Sequence, residues 1–281
     1  MPSAFRRTLQ VHQLNRLDRQ LQLMSDQALM RSAIVFAPHQ DDETLGCGGT
    51  ILKKRALGAS VEIAFLTDGR HSHRGLIDPE ELKQIRHQEA IAAANQLNVS
   101  PSALTFFDFP DGDLARYQAA AIEQTVALLK RVQPEQVFIP YYQEPKMVID
   151  HIYTHHIVID ALNSIQFTGE ILEYPIWYWA QYPWISFREP SGSPLRKLKN
   201  QLKTLNRTLR SQPNPWKDFQ IRVDISAQLS QKKVALDEHR SQMTQWQGIP
   251  HWQTLPDFHE GDWIERSLQP YELFYAHRLM R

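Results

Sequence analysis

The sequence predicts one α/β domain built on a mostly parallel sheet with helices on both faces. Two features lead to that expectation. Short apolar runs with branched and aromatic residues at their centres alternate with longer stretches of helical periodicity, the pattern of right-handed βαβ crossovers. The clusters of His, Asp and Glu fall directly after the apolar runs, where the carboxyl ends of parallel strands gather ligands.

Taken in order, residues 8–30 carry Leu14, Leu17, Leu21, Met24 and Ala28 three to four apart among polar residues, which reads as an amphipathic N-terminal helix. SAIVFAP at 32–38 is a buried strand, and the pattern from Thr44 to Leu57 is helical, with Gly58 where a C-terminal cap belongs. SVEIAFLTDG at 60–69 is the next strand. Asp78, Pro79 and Glu81 then open a helix that runs to about Asn98, with a capping carboxylate, a proline at the first helical position and an acid three after the cap. ALTFFDFPDG at 103–112 is strand then turn, followed by a helix from Leu114 to Val132. EQVFIPYY at 135–142 is a fourth strand, His151–Ile165 a helix, and GEILEYPIWYW at 169–179 and FQIRVDIS at 219–226 two further strands. The basic, leucine-spaced segment 191–216 reads as a surface helix inserted between loops. A solvated face and recognition of an anionic head group are both open for it.

Composition narrows the partners. The chain has 281 residues, and Lys plus Arg equals Asp plus Glu at 31 each, so no net field recruits nucleic acid or an anionic membrane. The single cysteine, Cys47, has no internal disulfide partner, which fits a reducing compartment. No unbroken apolar core marks a signal peptide, and no run reaches the roughly 18 apolar residues of a membrane span. A cytoplasmic protein is the expectation; oligomeric state is not legible.

The chemistry concentrates in PHQDDETLGCGG at 38–49. His39 and Asp42, three residues apart at a strand-to-helix junction, can aim nitrogen and carboxylate ligands at one point. The helix start adds free backbone donors and a positive dipole end. Helix capping is the plain alternative, but it needs one aspartate, whereas Asp41, Asp42 and Glu43 together repel without a cation. A dinucleotide loop fails, because GCGG does not fit GxGxxG. A second cluster, VIDHIYTHH at 148–156, offers Asp150, His151, His155 and His156. Three protein ligands with an open fourth position is the pattern of a catalytic zinc. The aromatic run YPIWYWAQYPW at 174–184 can either floor a sugar pocket or fill core.

PHQDDETLGCGGTI, the following TDG and the DH pair resemble the LmbE-like (PIG-L) family of zinc N-deacetylases. Further family-like features follow in order: Arg86 and Glu89 in IRHQEAIAAANQLNV, PDGDL at 110–114, KKVALDEHRSQ at 232–242 and YELFY at 271–275. The resemblance spans roughly residues 32–277. It implies a Rossmann-like fold, zinc (or another divalent ion such as Fe2+) on His39, Asp42 and His151, and Asp41 as general base. Asp150 is implied as a further catalytic residue. Arg86 and Asp111 are implied as substrate contacts, although a surface pair with Glu89 or Glu81 is an equal reading of Arg86. The implied substrate is a small molecule, glycan or glycolipid bearing an N-acetyl group.

One departure stands out. The family's second motif usually reads HPDH, and its first histidine steadies the oxyanion or protonates the leaving amine; here Val148 takes that place. Loss of a general acid costs about 10²–10⁴-fold in rate. Either another group substitutes, with His71, His73, His155 and His239 as candidates, or the chain is an inactive relative that binds metal or sugar. A phosphodiesterase is disfavoured, since that chemistry usually uses two metals.

Overall fold

The computed structural model describes residues 21–180 and 218–279. The expected basic helix at 191–216, the N-terminal helix before residue 21 and the end of the aromatic run at 181–184 lie outside the described residues.

The strands are β1 (Gln22–Leu23), β2 (Ala33–Ala37), β3 (Val61–Thr67), β4 (Leu104–Phe109), β5 (Gln136–Pro140), β6 (Glu170–Tyr174), β7 (Ile221–Asp224) and β8 (Tyr271–His277). They form one sheet in the order β1-β7-β8-β6-β5-β2-β3-β4. The pairs β2/β3, β2/β5, β3/β4, β5/β6 and β1/β7 are parallel, and β8 runs antiparallel to both its neighbours. The expected mostly parallel sheet is therefore present. β1 and β8 are additions that the alternation of strand and helix did not predict.

The main helices are α1 (Asp26–Leu29), α2 (Asp42–Ala56), α3 (Pro79–Gln96), α4 (Gln118–Val132), α5 (Ile149–Ser164) and α6 (Leu229–Asp237). Two buried cores flank the sheet. One takes Cys47 and Ile51 of α2, Ala90 and Ala94 of α3 and Ala235 and Leu236 of α6. The other takes Leu128 and Leu129 of α4 and Ile157, Val158 and Ala161 of α5. Helices thus cover both faces. α3 begins as its sequence dictates: the Asp78 side chain accepts from the Glu80 and Glu81 N–H groups, with Pro79 at the first position.

The reading of residues 21–30 as part of one helix is corrected. Gln22 N–H donates to Gln220 O (2.7 Å) and Met24 N–H to Arg222 O (2.9 Å), which draws this stretch onto the sheet edge as β1. Ser25 then caps α1 by accepting from Ala28 N–H at 3.2 Å. A periodic pattern of leucines cannot reveal that competing backbone partner.

α2 is fastened to the far end of the chain. Gly49 and Thr50 N–H donate to the Glu272 carboxylate at 2.8 and 2.7 Å. The fully buried Lys232 ammonium donates to Glu272 (2.7 Å) and to Leu45 O (2.9 Å). KKVALDEHRSQ and YELFY therefore brace the helix that opens beside the metal-ligand candidates. The glycines of α2 permit this closeness. A Cβ on Gly46 would lie 2.3 Å from the Tyr174 ring, and one on Gly49 2.5 Å from Ile225.

Candidate metal centre and cleft

The order β5-β2-β3 places a topological switch point between β2 and β5, since the chain runs outward from β2 through β3 and β4 before returning to β5. Ligands gather at such crevices, beyond the carboxyl ends of the strands. Both ligand clusters lie there. The turn after β2 is pinned from β3: Thr67 N–H and Oγ1–H donate to Pro38 O at 3.0 and 2.8 Å, and Gln40 Nε2–H donates to Thr67 O at 2.7 Å. Asp41 follows at φ 147°, unusual for a residue with a side chain and typical of backbone held by its surroundings at functional sites. Neither aspartate serves as an ordinary cap, for Asp41 occupies the cap position of α2 without a side-chain capping bond.

His39 stands at the centre. Its Nδ1 lies 3.2 Å from Asp42 Oδ2, while its Nε2 lies 3.3 Å from both Asp150 Oδ2 and Asp111 Oδ1. Asp150 is held by the β4–α4 turn, accepting from Gly112 N–H (2.6 Å) and Leu114 N–H (3.3 Å). Asp111 accepts from His71 N–H at 3.0 Å. Burial pushes the His39 imidazole down, but Asp111, Asp150 and Asp42 outweigh it and hold its proton affinity well above the ordinary value. Asp42 shows the reciprocal effect: burial raises it, and His151 and His39 bring it below the usual carboxylate range.

His151, in the first turn of α5, is fully buried, with its Nε2 3.4 Å from Asp42 Oδ2. Among the described residues neither of its ring nitrogens has a hydrogen-bond partner. Burial lowers its pKa to about 4, so the ring is neutral and offers a lone pair. A buried imidazole without a partner is costly unless something else binds it. His39, Asp42 and His151 bring their ligand atoms within 4.8 Å of one another, which fits a single cation on two nitrogens and one carboxylate.

A model of the GlcNAc-PI de-N-acetylase (PIG-L) family matches residues 34–162, a span that includes both ligand loops. Across that span the chain is similar to the PIG-L family. It is 26% identical over 240 residues to the 1D-myo-inositol 2-acetamido-2-deoxy-alpha-D-glucopyranoside deacetylase of Saccharomonospora viridis, covering 73% of this chain and 83% of that protein. Its fold is similar to the N,N'-diacetylchitobiose deacetylase of Pyrococcus horikoshii, with a TM-score of 0.59 and 21% identity over 88% of this chain and 84% of that one. It is also similar to GalB, the 4-carboxy-2-hydroxymuconate hydratase of Pseudomonas putida KT2440, at a TM-score of 0.56 and 18% identity, covering 90% of this chain and 97% of that one. A hydratase and a deacetylase thus share this architecture, and the reaction has to be argued from side chains.

The ligand candidates of this chain open onto a cleft of about 320 Å³. Asp41 lines it, and burial raises its carboxyl to about 7 despite the nearby Arg86 charge. The reading of Arg86 as a surface residue paired with Glu89 or Glu81 is corrected. Arg86 is buried and donates to Gln40 O (2.7 Å), Gly69 O (3.3 Å) and Asp41 Oδ2 (3.2 Å). Of the aromatic run, Tyr174, Tyr178 and Trp179 are core, whereas Trp177 lines the cleft and stacks on Trp263 at 4.4 Å. Val148 also lines the cleft.

Sequence reasoning missed the anchors behind the site. Glu43 accepts from Asp41 N–H (3.0 Å) and from Thr44 Oγ1–H (2.7 Å), and it faces His239 Nε2 at 3.2 Å. Glu89 accepts from Ser241 N–H and Oγ–H, both at 2.7 Å. Glu144 accepts from Ile176 N–H at 2.7 Å and ties the loop after β5 to the aromatic run. The HRSQ motif carried the signal for the first two, but their partners lie some 150 to 200 residues away in sequence.

Proposed function

We propose that this chain is a zinc-dependent N-deacetylase that releases acetate from the amine of an acetamido sugar. The observation that carries the reading is the fully buried, neutral His151, without hydrogen-bond partners among the described residues, beside Asp42 and His39. The ligand set would hold zinc, with Fe2+ as the nearest alternative. When bound, such a cation polarises a carbonyl oxygen and lowers the pKa of water from 15.7 toward about 7.

The chain's own groups do the rest. His39 would offer the cation its Nδ1, the nitrogen on the Asp42 side, since its Nε2 faces Asp150 and Asp111. Those two carboxylates fix the ring and raise its basicity. Asp41 takes a proton from the water that adds to the acetyl carbonyl, and burial to about pKa 7 matches it to that task near neutral pH. Arg86 holds the Asp41 carboxylate from behind. We assign it to positioning the base, since its bonds run to the protein, and leave Trp177 and the cleft walls to meet the sugar.

The test is release of free amine from N-acetylglucosamine and its glycosides, with zinc-loaded and chelator-treated protein. Asp41→Asn is expected to lose about 10²–10⁴-fold in kcat with its zinc content unchanged. Zinc-loaded protein that releases no amine across the panel refutes the activity. Loss of zinc from Asp41→Asn would make Asp41 a ligand instead.

A further inference from the structure

The cleft has a general base but, with Val148 where a proton donor would stand, no acid on the α5 side. We infer that His71, in the loop after β3, is the catalytic acid that protonates the leaving amine; the inference rests on the deacetylase reading above.

Geometry reduces four candidate histidines to one. His239 is fully buried against Glu43, and His155 faces Glu173 Oε1 at 3.1 Å; neither lines the cleft. His73 does line it, but both its nitrogens are engaged, Nε2 with Gln253 O (2.8 Å) and Nδ1 with Ser72 Oγ (3.1 Å). Its ring is also stacked on Trp252 at 3.7 Å with 9° between the planes. Giving up a proton from Nε2 would break the bond to Gln253. His71 differs. Its Nδ1 lies 2.7 Å from Asp111 O, and a carbonyl only accepts, so Nδ1 carries a hydrogen. The exchangeable proton is then the one on Nε2, which has no partner among the described residues. The remaining titratable groups lining the cleft are accounted for as ligands, base, holders of His39 or, for Arg86, the group that positions the base.

Asp111 couples this ring to the centre. Its carboxylate accepts from His71 N–H and faces His39 Nε2, and its carbonyl takes His71 Nδ1–H. The acid and the metal ligand are therefore registered through one residue.

The step balances as follows. Water adds to the carbonyl carbon while Asp41 takes one of its protons. The C–N bond then breaks, its electron pair passing to nitrogen as the His71 Nε2 proton transfers there. Carboxylic acid and neutral amine leave, and the proton on Asp41 returns to His71 through solvent, restoring both groups.

The experiment compares zinc-loaded wild type, His71→Asn and His71→Asn/Val148→His on two substrates. One is an alkyl glycoside of N-acetylglucosamine, whose amine must be protonated to leave. The other is 4-nitrophenyl acetate, whose phenolate leaves without a proton. His71→Asn is expected to lower kcat on the amide by about 10²–10⁴-fold while ester turnover and zinc content stay near wild type. A histidine restored at position 148 is expected to return much of the lost amide rate. Amide turnover at the wild-type rate in His71→Asn overturns the assignment. So does a parallel loss on both substrates, which marks a structural role. Wild type that cleaves the ester but never the amide refutes the deacetylase reading itself, and this inference falls with it.

Discussion

Asp150→Asn preserves the shape of a buried side chain while removing its charge. In the native arrangement Asp150 Oδ2 serves both Gly112 N–H and His39 Nε2, and Oδ1 faces Leu114 N–H. An amide has one acceptor oxygen. If that oxygen takes the Oδ2 place, the NH2 group meets Leu114 N–H; in the reversed orientation it meets Gly112 N–H and His39. Either way a buried donor loses its acceptor, at a cost of about 1–3 kcal/mol. His39 also loses one of the two carboxylates that orient it and increase its donor strength. Removing such a supporting partner weakens metal binding by about 10–100-fold, equivalent to about 1.4–2.7 kcal/mol. Asp111 remains at 3.3 Å from Nε2, so the ligand is weakened and not abolished. The assay is competition for zinc against a chromogenic chelator, with apo-protein of wild type and variant side by side. Zinc affinity within twofold of wild type in a folded variant would refute the assignment of Asp150 as the support of His39.

Two further predictions concern the frame around the site. Gly49→Ala places a methyl group 2.5 Å from Ile225, itself fully buried, so thermal denaturation should show a loss of about 1–3 kcal/mol from overpacking. A variant as stable as wild type would mean that α2 and Ile225, the residue after β7, can part without cost. The Glu43–His239 pair makes stability depend on pH. Burial lowers His239, but Glu43 outweighs it and the folded-state pKa stands above 6.5. The folded protein therefore binds this proton more tightly than the unfolded chain. The stabilisation is fully present below about pH 6.5 and is lost as pH rises through the folded value. Urea titrations from pH 6 to 9 should show that decline in wild type and a flatter profile in His239→Gln; identical slopes would remove the pair from the account.

Much of this molecule was legible in one dimension, because the determining interactions are local. β2, β3 and β5 are apolar runs flanked by turns, and Asp78-Pro79 starts α3 through bonds to residues two and three positions on. The spacing of His39 and Asp42 across a strand-to-helix turn let the first loop be read as a ligand pair, and the Asp150–His151 step let the second be nominated. Tertiary structure alone settled what depends on partners distant in sequence. It turned residues 22–23 into an edge strand by offering them β7, and it buried Arg86 against Asp41 where periodicity had allowed a surface ion pair. It joined Lys232 and Glu272 to the middle of α2. It also decided which of four histidines line the cleft, and which of those has a ring nitrogen without a partner among the described residues. A side chain's role there depends on what surrounds both ring nitrogens, and those neighbours come from loops that only the folded sheet brings together.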